Sequence, residues 1–345
     1  MKIQVNARNR AHHFEATPED KILHAGLSRA IDLPYECGSG TCGTCKARLL
    51  SGEIEDCWPE APGRKYLKSS DEFLMCQCTA RKDVTLEVAS FVEDIEPGVC
   101  VPSAQKGRIS EATLLTHDVI ELCIALERPM EFDAGQFVLV QVPGIPGFRG
   151  WSMVNYDRAA TTLRFVVKKK PGGQVSEWLF AQRIVDTAVD VYGPLGSATF
   201  YPGVAKDILC IAGGSGIAGM MSILERARQD NYFAEHGGDV FFGVRSPKDA
   251  FYLEEFSRLR EACGVNLRVT IALSETEATP EMQAAHPLLN FDAGFVHEVA
   301  SRSMRGRCQG VRAYLAGPPP AVDACVRMLL MARVSTDNIR YDKFS

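Results

Sequence analysis

Three cysteines share one short loop. The segment 37–45 reads C-G-S-G-T-C-G-T-C, and a fourth thiol follows in L-M-C-Q-C at 74–78. The spacing C-x4-C-x2-C with a later cysteine suits a [2Fe–2S] cluster. Gly38, Gly40 and Gly43 let the loop fold back on itself, because glycine adopts positive φ without strain. Such a loop can aim backbone N–H groups at cluster sulfurs and so tune the reduction potential. A structural zinc site usually shows paired C-x2-C knuckles, and only one pair is present. A Rieske centre needs two histidine ligands, and neither segment has one nearby. Cys37, Cys42 and Cys45 are therefore three candidate ligands. Cys76 and Cys78 compete for the fourth place.

A chain of 345 residues predicts two or three domains, and 46% hydrophobic residues are enough to fill their cores. The net charge of −5, without a long run of one sign, argues against nucleic acid and against an anionic membrane surface. An acidic protein can still steer towards a basic patch on a partner. The other eight of the twelve cysteines are scattered, which fits free thiols in a reducing cytoplasm. No apolar stretch is long enough to span a membrane, and the N-terminal residues read as a strand rather than a signal peptide.

Residues 1–16 predict two short strands around a polar turn at 6–10. A helix over 18–30 follows, with Ile22, Leu23, Gly26, Leu27 and Ala30 at helical spacing. Strands at 47–50 and 84–88 complete a small mixed sheet wrapped on that helix. Two prolines and a glycine in 93–104 mark a linker, placed at 96–103. Runs at 119–126, 136–142, 162–168 and 189–192, with one short helix near 175–182, predict an antiparallel barrel. From residue 206 strands (208–212, 240–244, 269–273, 311–315) alternate with helices (220–229, 253–262, 321–333), the pattern of a parallel α/β sheet.

Three further motifs carry chemistry. Arg149, Gly150, Trp151 and Ser152 lie in the barrel region, followed by Val166, Val167 and Lys168 and by the turn Gly173, Gln174, Val175, Ser176. Gly213, Gly214, Ser215 and Gly216 join a strand to a helix, where glycines let backbone approach a pyrophosphate and the helix start favours its charge. Gly243 and Arg245, with Asp249 and Tyr252, follow the second strand. Ala316, Gly317 and Pro318 follow the fourth. Taken singly, Arg149 reads equally as a surface salt bridge, the lysines at 168–170 as a solvated face, and Arg245 as a surface charge.

In this order the motifs resemble the ferredoxin–NAD(P)+ reductase superfamily. The layout is similar to that of the reductase components of bacterial multicomponent aromatic-ring oxygenases. The resemblance implies a β-grasp plant-type ferredoxin domain at 1–95, an FAD-binding barrel at 104–203 and an NAD-binding domain at 206–345. It implies Cys76 rather than Cys78 as the fourth ligand, since these ferredoxins place it directly after a Leu-x pair. It implies that Arg149 pairs with the FAD pyrophosphate, that an aromatic ring packs on the isoalloxazine, and that the Ser152 hydroxyl reaches the flavin's redox-active nitrogen. Trp151 stands where tyrosine is usual, which keeps a flat face and drops a hydroxyl. Gly219 replaces a proline that starts the helix rigidly, and Ala316 replaces a cysteine near the hydride-transfer centre. Phe344 is implied to cover the isoalloxazine until nicotinamide displaces it; the plainer reading is a terminal residue filling an apolar gap.

The order implied is NADH to FAD to cluster to an outside acceptor, because a hydride brings two electrons, a cluster takes one, and a flavin handles both. Reductases of this layout use NADH. Arg245 would favour a 2′-phosphate, whereas Asp249 would hold ribose hydroxyls. The segments 58–63, 314–320 and 326–330 are similar to carbazole dioxygenase reductases, the first also to toluene monooxygenase reductases. The expected partner is a Rieske ring-hydroxylating dioxygenase or its ferredoxin, with a diiron monooxygenase as the alternative. A carrier without nicotinamide activity predicts bound cofactors that NADH does not reduce. A redox sensor would want a DNA-binding or signalling segment, and none is visible. Glu36, Glu53, Glu55, Asp56 and Glu60 are either a docking face beside the cluster or a solvated rim.

Overall fold

The computed structural model describes residues 1–181 and 183–343. Ile3 and Val5 alternate with polar residues, and the strand Lys2–Asn6 buries both on one face. It pairs antiparallel with Ala11–Glu15 and parallel with Val84–Glu87. Lys46–Ser51 and Glu72–Leu74 complete a five-stranded sheet. The helix against it is shorter than its periodicity predicts, Ile22–Leu27 rather than 18–30. Asp20 instead closes a turn, its carboxylate accepting from the Thr17 N–H at 2.8 Å. At the other end Ala30 turns left-handed at φ 58, and the Ile31 N–H returns to the Gly26 carbonyl. All six helical residues are buried, so tertiary packing rather than length stabilises so short a helix.

The middle of the chain builds a six-stranded antiparallel near-barrel. Its order is Arg149–Ser152, Phe137–Gln141, Ala188–Leu195, Ser103–Leu114, Val119–Met130, Ala160–Lys168. The segment after the first of these bonds the last, Val154 N–H to the Arg164 carbonyl at 2.8 Å. The third sheet is parallel, in the order Asn290–Ala293, Leu267–Leu273, Gly238–Val244, Asp207–Gly213, Val311–Gly317, Ile339–Lys343. Its two edge strands and the helices Pro280–Ala285 and Val296–Ser303 were not among the expected elements.

The chain divides into two compact units, and the near-barrel's strands are shared between them. One unit contains 1–108, 137–151 and 187–195; the other contains the remainder of the described residues. In the first unit Phe137, Leu139, Tyr192 and Leu195 share one hydrophobic core with the five-stranded sheet and its helix. The cluster loop is built into that core, since Gly38, at φ +61, places its Cβ position 3.2 Å from the Leu139 side chain.

Candidate functional site

The glycine loop gathers its thiols by turning N–H groups inward. Cys37 Sγ accepts from the N–H groups of Ser39, Thr41 and Cys42, each at 3.4 Å, and Cys42 Sγ from Thr44 at 3.4 Å. The adjacent Cys42 thiol, and then the Thr41 hydroxyl and the N–H groups of Thr41 and Cys42, outweigh burial and pull the Cys37 thiol well below its usual range. Cys45 and Cys76, both buried, bring their sulfurs to 3.1 Å, and Gln77 Nε2 lies 3.3 Å from Cys76 Sγ. Cys78 stands instead in the strand Cys78–Ala80, opposite Asp56, where burial raises its thiol. Four thiols in two pairs form a soft, all-sulfur donor set that suits the two irons of a [2Fe–2S] cluster.

A loop beyond the thiols ties this nest to Arg149. The Gly63 N–H donates to the Gly40 carbonyl at 2.8 Å, and the Trp58 ring lies 4.9 Å from the Arg149 guanidinium carbon. Arg149 also donates to the Phe148 carbonyl at 3.1 Å, and burial lowers its pKa. No carboxylate pairs with it among the described residues, so a half-buried guanidinium stands ready for an anion such as a pyrophosphate. Trp151 and Ser152 follow on the same strand, both buried. The acidic rim is largely neutralised: Glu53 pairs with Lys82 at 2.8 Å, Glu55 with Arg81 and Asp56 with Arg64.

In the second unit the strand Asp207–Gly213 runs through Gly214–Gly216 into the helix Ile217–Gln229. Neighbouring strands lie on both sides, and the chain returns across it for Val311–Gly317, so the turn sits at the switch point where such sheets bind ligands. Gly213, Gly214, Ser215, Gly216, Gly243, Arg245, Asp249, Gly317, Pro318 and Lys168 together line one cavity of about 350 Å³. At Gly214, φ +54, an added Cβ meets nothing within 4 Å and would stand in open space. That cradle, under a helix start with no acidic residue in its first turn, fits a dinucleotide phosphate.

Ala316 lies beneath the turn, its carbonyl and carbon 2.8 Å from where a Gly216 Cβ would stand. Gly216→Ala must therefore push the turn off the strand. We expect the KM for a nicotinamide dinucleotide to rise by about tenfold or more with the visible spectrum intact, and an unchanged KM would refute the close approach. A Cβ added at Gly219 would stand 3.6 Å from Ser152 Cβ, in ordinary van der Waals contact, so this helix turn faces that serine.

Some expected residues lie elsewhere. The Ser176 hydroxyl is engaged within its own turn, accepting from the Lys170 N–H at 3.0 Å, and Gly173, Gln174 and Val175 sit around it. Val166 and Val167 lie in the strand that delivers Lys168. Phe344 lies outside the described residues. Sequence reading missed Val119, Phe251, Ser274, Phe295, Val296 and Ala321, which also line the cavity. Phe295 carried a signal, because Glu298 accepts from its N–H at 3.3 Å in a capping arrangement that opens a helix with Val296, Val299 and Ala300 at i, i+3, i+4.

A thiol nest, an antiparallel near-barrel and a parallel nucleotide-binding sheet define an iron–sulfur flavoprotein oxidoreductase. Family models agree: a 2Fe-2S iron-sulfur cluster binding domain matches residues 5–81, an oxidoreductase FAD-binding domain 106–200 and an oxidoreductase NAD-binding domain 210–327. A ferredoxin–NAD(P)+ reductase of Metapseudomonas resinovorans is 32% identical over 326 residues, covering 94% of each chain. The ferredoxin–NAD+ reductase component of the alkene monooxygenase system of Xanthobacter autotrophicus is 32% identical over 341 residues, covering 97% of this chain and 99% of its own. The solved ferredoxin reductase in carbazole 1,9a-dioxygenase superposes with a TM-score of 0.83 at 32% identity, covering 100% and 99% of the two chains. The chain belongs to the ferredoxin–NAD(P)+ reductases that join ferredoxin, FAD-binding and NAD-binding domains in one polypeptide.

Proposed function

We propose that this reductase takes electrons from NADH and passes them to the terminal oxygenase, or an intermediate ferredoxin, of an aromatic ring-hydroxylating dioxygenase system. The observation that carries the reading is the coexistence of the four-thiol nest and the glycine-turn cavity in one chain. When bound, FAD converts the two-electron hydride into single electrons for the cluster. Cys37, Cys42, Cys45 and Cys76 would hold the cluster, and Arg149, Trp151 and Ser152 would seat and orient the flavin. The cavity would bind the dinucleotide, and Phe344 would cover the flavin. Domains at 1–95, 104–203 and 206–345 fit this division of labour.

NADH is favoured over NADPH because Arg245 is already paired, at 3.0 Å with Asp249 and 3.6 Å with Asp118. The dioxygenase partner is favoured by likeness to the carbazole reductase. Relatives named for alkene and xylene/toluene monooxygenase systems support the second reading, a diiron monooxygenase partner. A cytoplasmic site fits the scattered thiols and a chain in which no described helix is long and apolar enough to cross a membrane. Anaerobic titration tests the function. NADH should bleach flavin and iron–sulfur bands together. Bands present but unmoved by either nucleotide would leave a carrier without nicotinamide activity.

A further inference from the structure

The cavity's charges are arranged around a residue that does not itself line it. Asp118 lies in the bend before the strand Val119–Met130, its side chain 17% exposed. One of its oxygens, Oδ2, stands 3.2 Å from Lys168 Nζ and 3.6 Å from Arg245 Nη2, and both of those cations line the cavity. Asp249 takes the other side of Arg245 at 3.0 Å. His117 Nε2 faces both carboxylates, at 3.8 and 3.9 Å. Both cations that line the cavity, Lys168 and Arg245, are thus paired with carboxylates.

We propose that Asp118 is a specificity-determining residue that keeps 2′-phosphorylated nucleotides out of this cavity, a proposal that rests on the NADH reading above. A ribose diol brings no charge and finds the rim neutral. A 2′-phosphate brings a dianion to cations already paired, and it meets two carboxylates at close range. Asp118 shares both cations, so it holds more of this balance than Asp249 does. The two acids also differ in what else they do. Asp249 holds its own turn, accepting from the Ser246 N–H at 3.1 Å and the Ser246 hydroxyl at 2.5 Å. Beyond its charged neighbours, Asp118 accepts from the Thr116 hydroxyl at 3.1 Å, a bond that an amide oxygen can replace.

The test is direct binding of ADP-ribose and of 2′-phospho-ADP-ribose to the cofactor-loaded protein by calorimetry, for wild type, Asp118→Asn and Asp118→Ser. Neither probe undergoes redox chemistry, so the readout is independent of turnover. Both variants should bind the 2′-phosphorylated probe about tenfold more tightly, with ADP-ribose affinity little changed and the gain shrinking at high salt. In turnover the NADPH KM should fall while kcat with NADH holds. If wild type prefers ADP-ribose and neither variant gains affinity for the phosphorylated probe, the role of Asp118 is overturned and the NADH reading stands. If wild type binds the phosphorylated probe as tightly as ADP-ribose, the NADH reading falls and the proposal falls with it.

Discussion

Cys76→Ser is expected to yield a protein that retains flavin and its reduction by the nicotinamide nucleotide but lacks iron, acid-labile sulfide and the long-wavelength iron–sulfur absorbance. Cys76 is 0% exposed and its sulfur meets Cys45 at 3.1 Å, whereas Cys78 stands in the strand opposite Asp56. A serine hydroxyl is a harder ligand that ionises far less readily, and iron in a cluster favours thiolate. Electron delivery to a one-electron protein acceptor should fall to background, whereas direct reduction of a small dye by the flavin survives. Cys78→Ser is the control. Its side chain lies in the strand paired with Ile54–Asp56, and the change should cost about 1 kcal/mol of stability with iron content intact. Iron and sulfide analysis of the two variants decides the ligand. Loss of iron from Cys78→Ser with retention by Cys76→Ser would reverse the assignment.

Acid should loosen the first compact unit through His24. Its ring stacks on Tyr192, centroids 4.0 Å apart and planes 11° apart, with Phe148 edge-on at 5.4 Å. The Tyr192 hydroxyl donates to the His24 carbonyl at 2.9 Å, while His24 Nε2 has no hydrogen-bond partner among the described residues. Burial first, and then the Lys21 charge, lowers the His24 pKa from 6.5 to about 3. Folding therefore keeps His24 neutral where the unfolded chain would protonate it. The associated stability is complete above pH 6.5 and is lost as pH falls from 6.5 towards 3.

The slope is about 1.4 kcal/mol per pH unit, or roughly 2 kcal/mol by pH 5. His24→Phe keeps the stack, removes the unpartnered nitrogen and should flatten that slope. Denaturant melts of wild type and variant at pH 7.5 and pH 5 measure it, and equal slopes in the two proteins would rule out His24 as the source.

Much of the site was legible because its parts are local. Three thiols on one glycine loop, and a glycine turn between a buried strand and a helix, bring their groups together by backbone spacing alone. The expected helix over 18–30 failed for a local reason that periodicity does not register: Asp20 closes a turn before it, and Ala30 reverses after it. The acidic residues read as either a docking face or a solvated rim because the cations that pair three of them, Arg64, Arg81 and Lys82, stand apart from them in sequence. Phe295 is marked only by its place ahead of a short helix with Glu298 at the third position, a cue that fixes a helix start and says nothing of a cavity.

The sequence by itself determined the cofactor classes and their order along the chain, since a cluster loop and a phosphate turn need particular residues at fixed covalent spacing. Tertiary structure alone decided that Trp58 lies against Arg149, that His24 stacks on Tyr192, and that Asp118 shares Lys168 with Arg245. Those contacts join residues far apart in the chain. Nothing in their local spacing favours them, and the packing of buried surface that brings them together is a property of the whole fold.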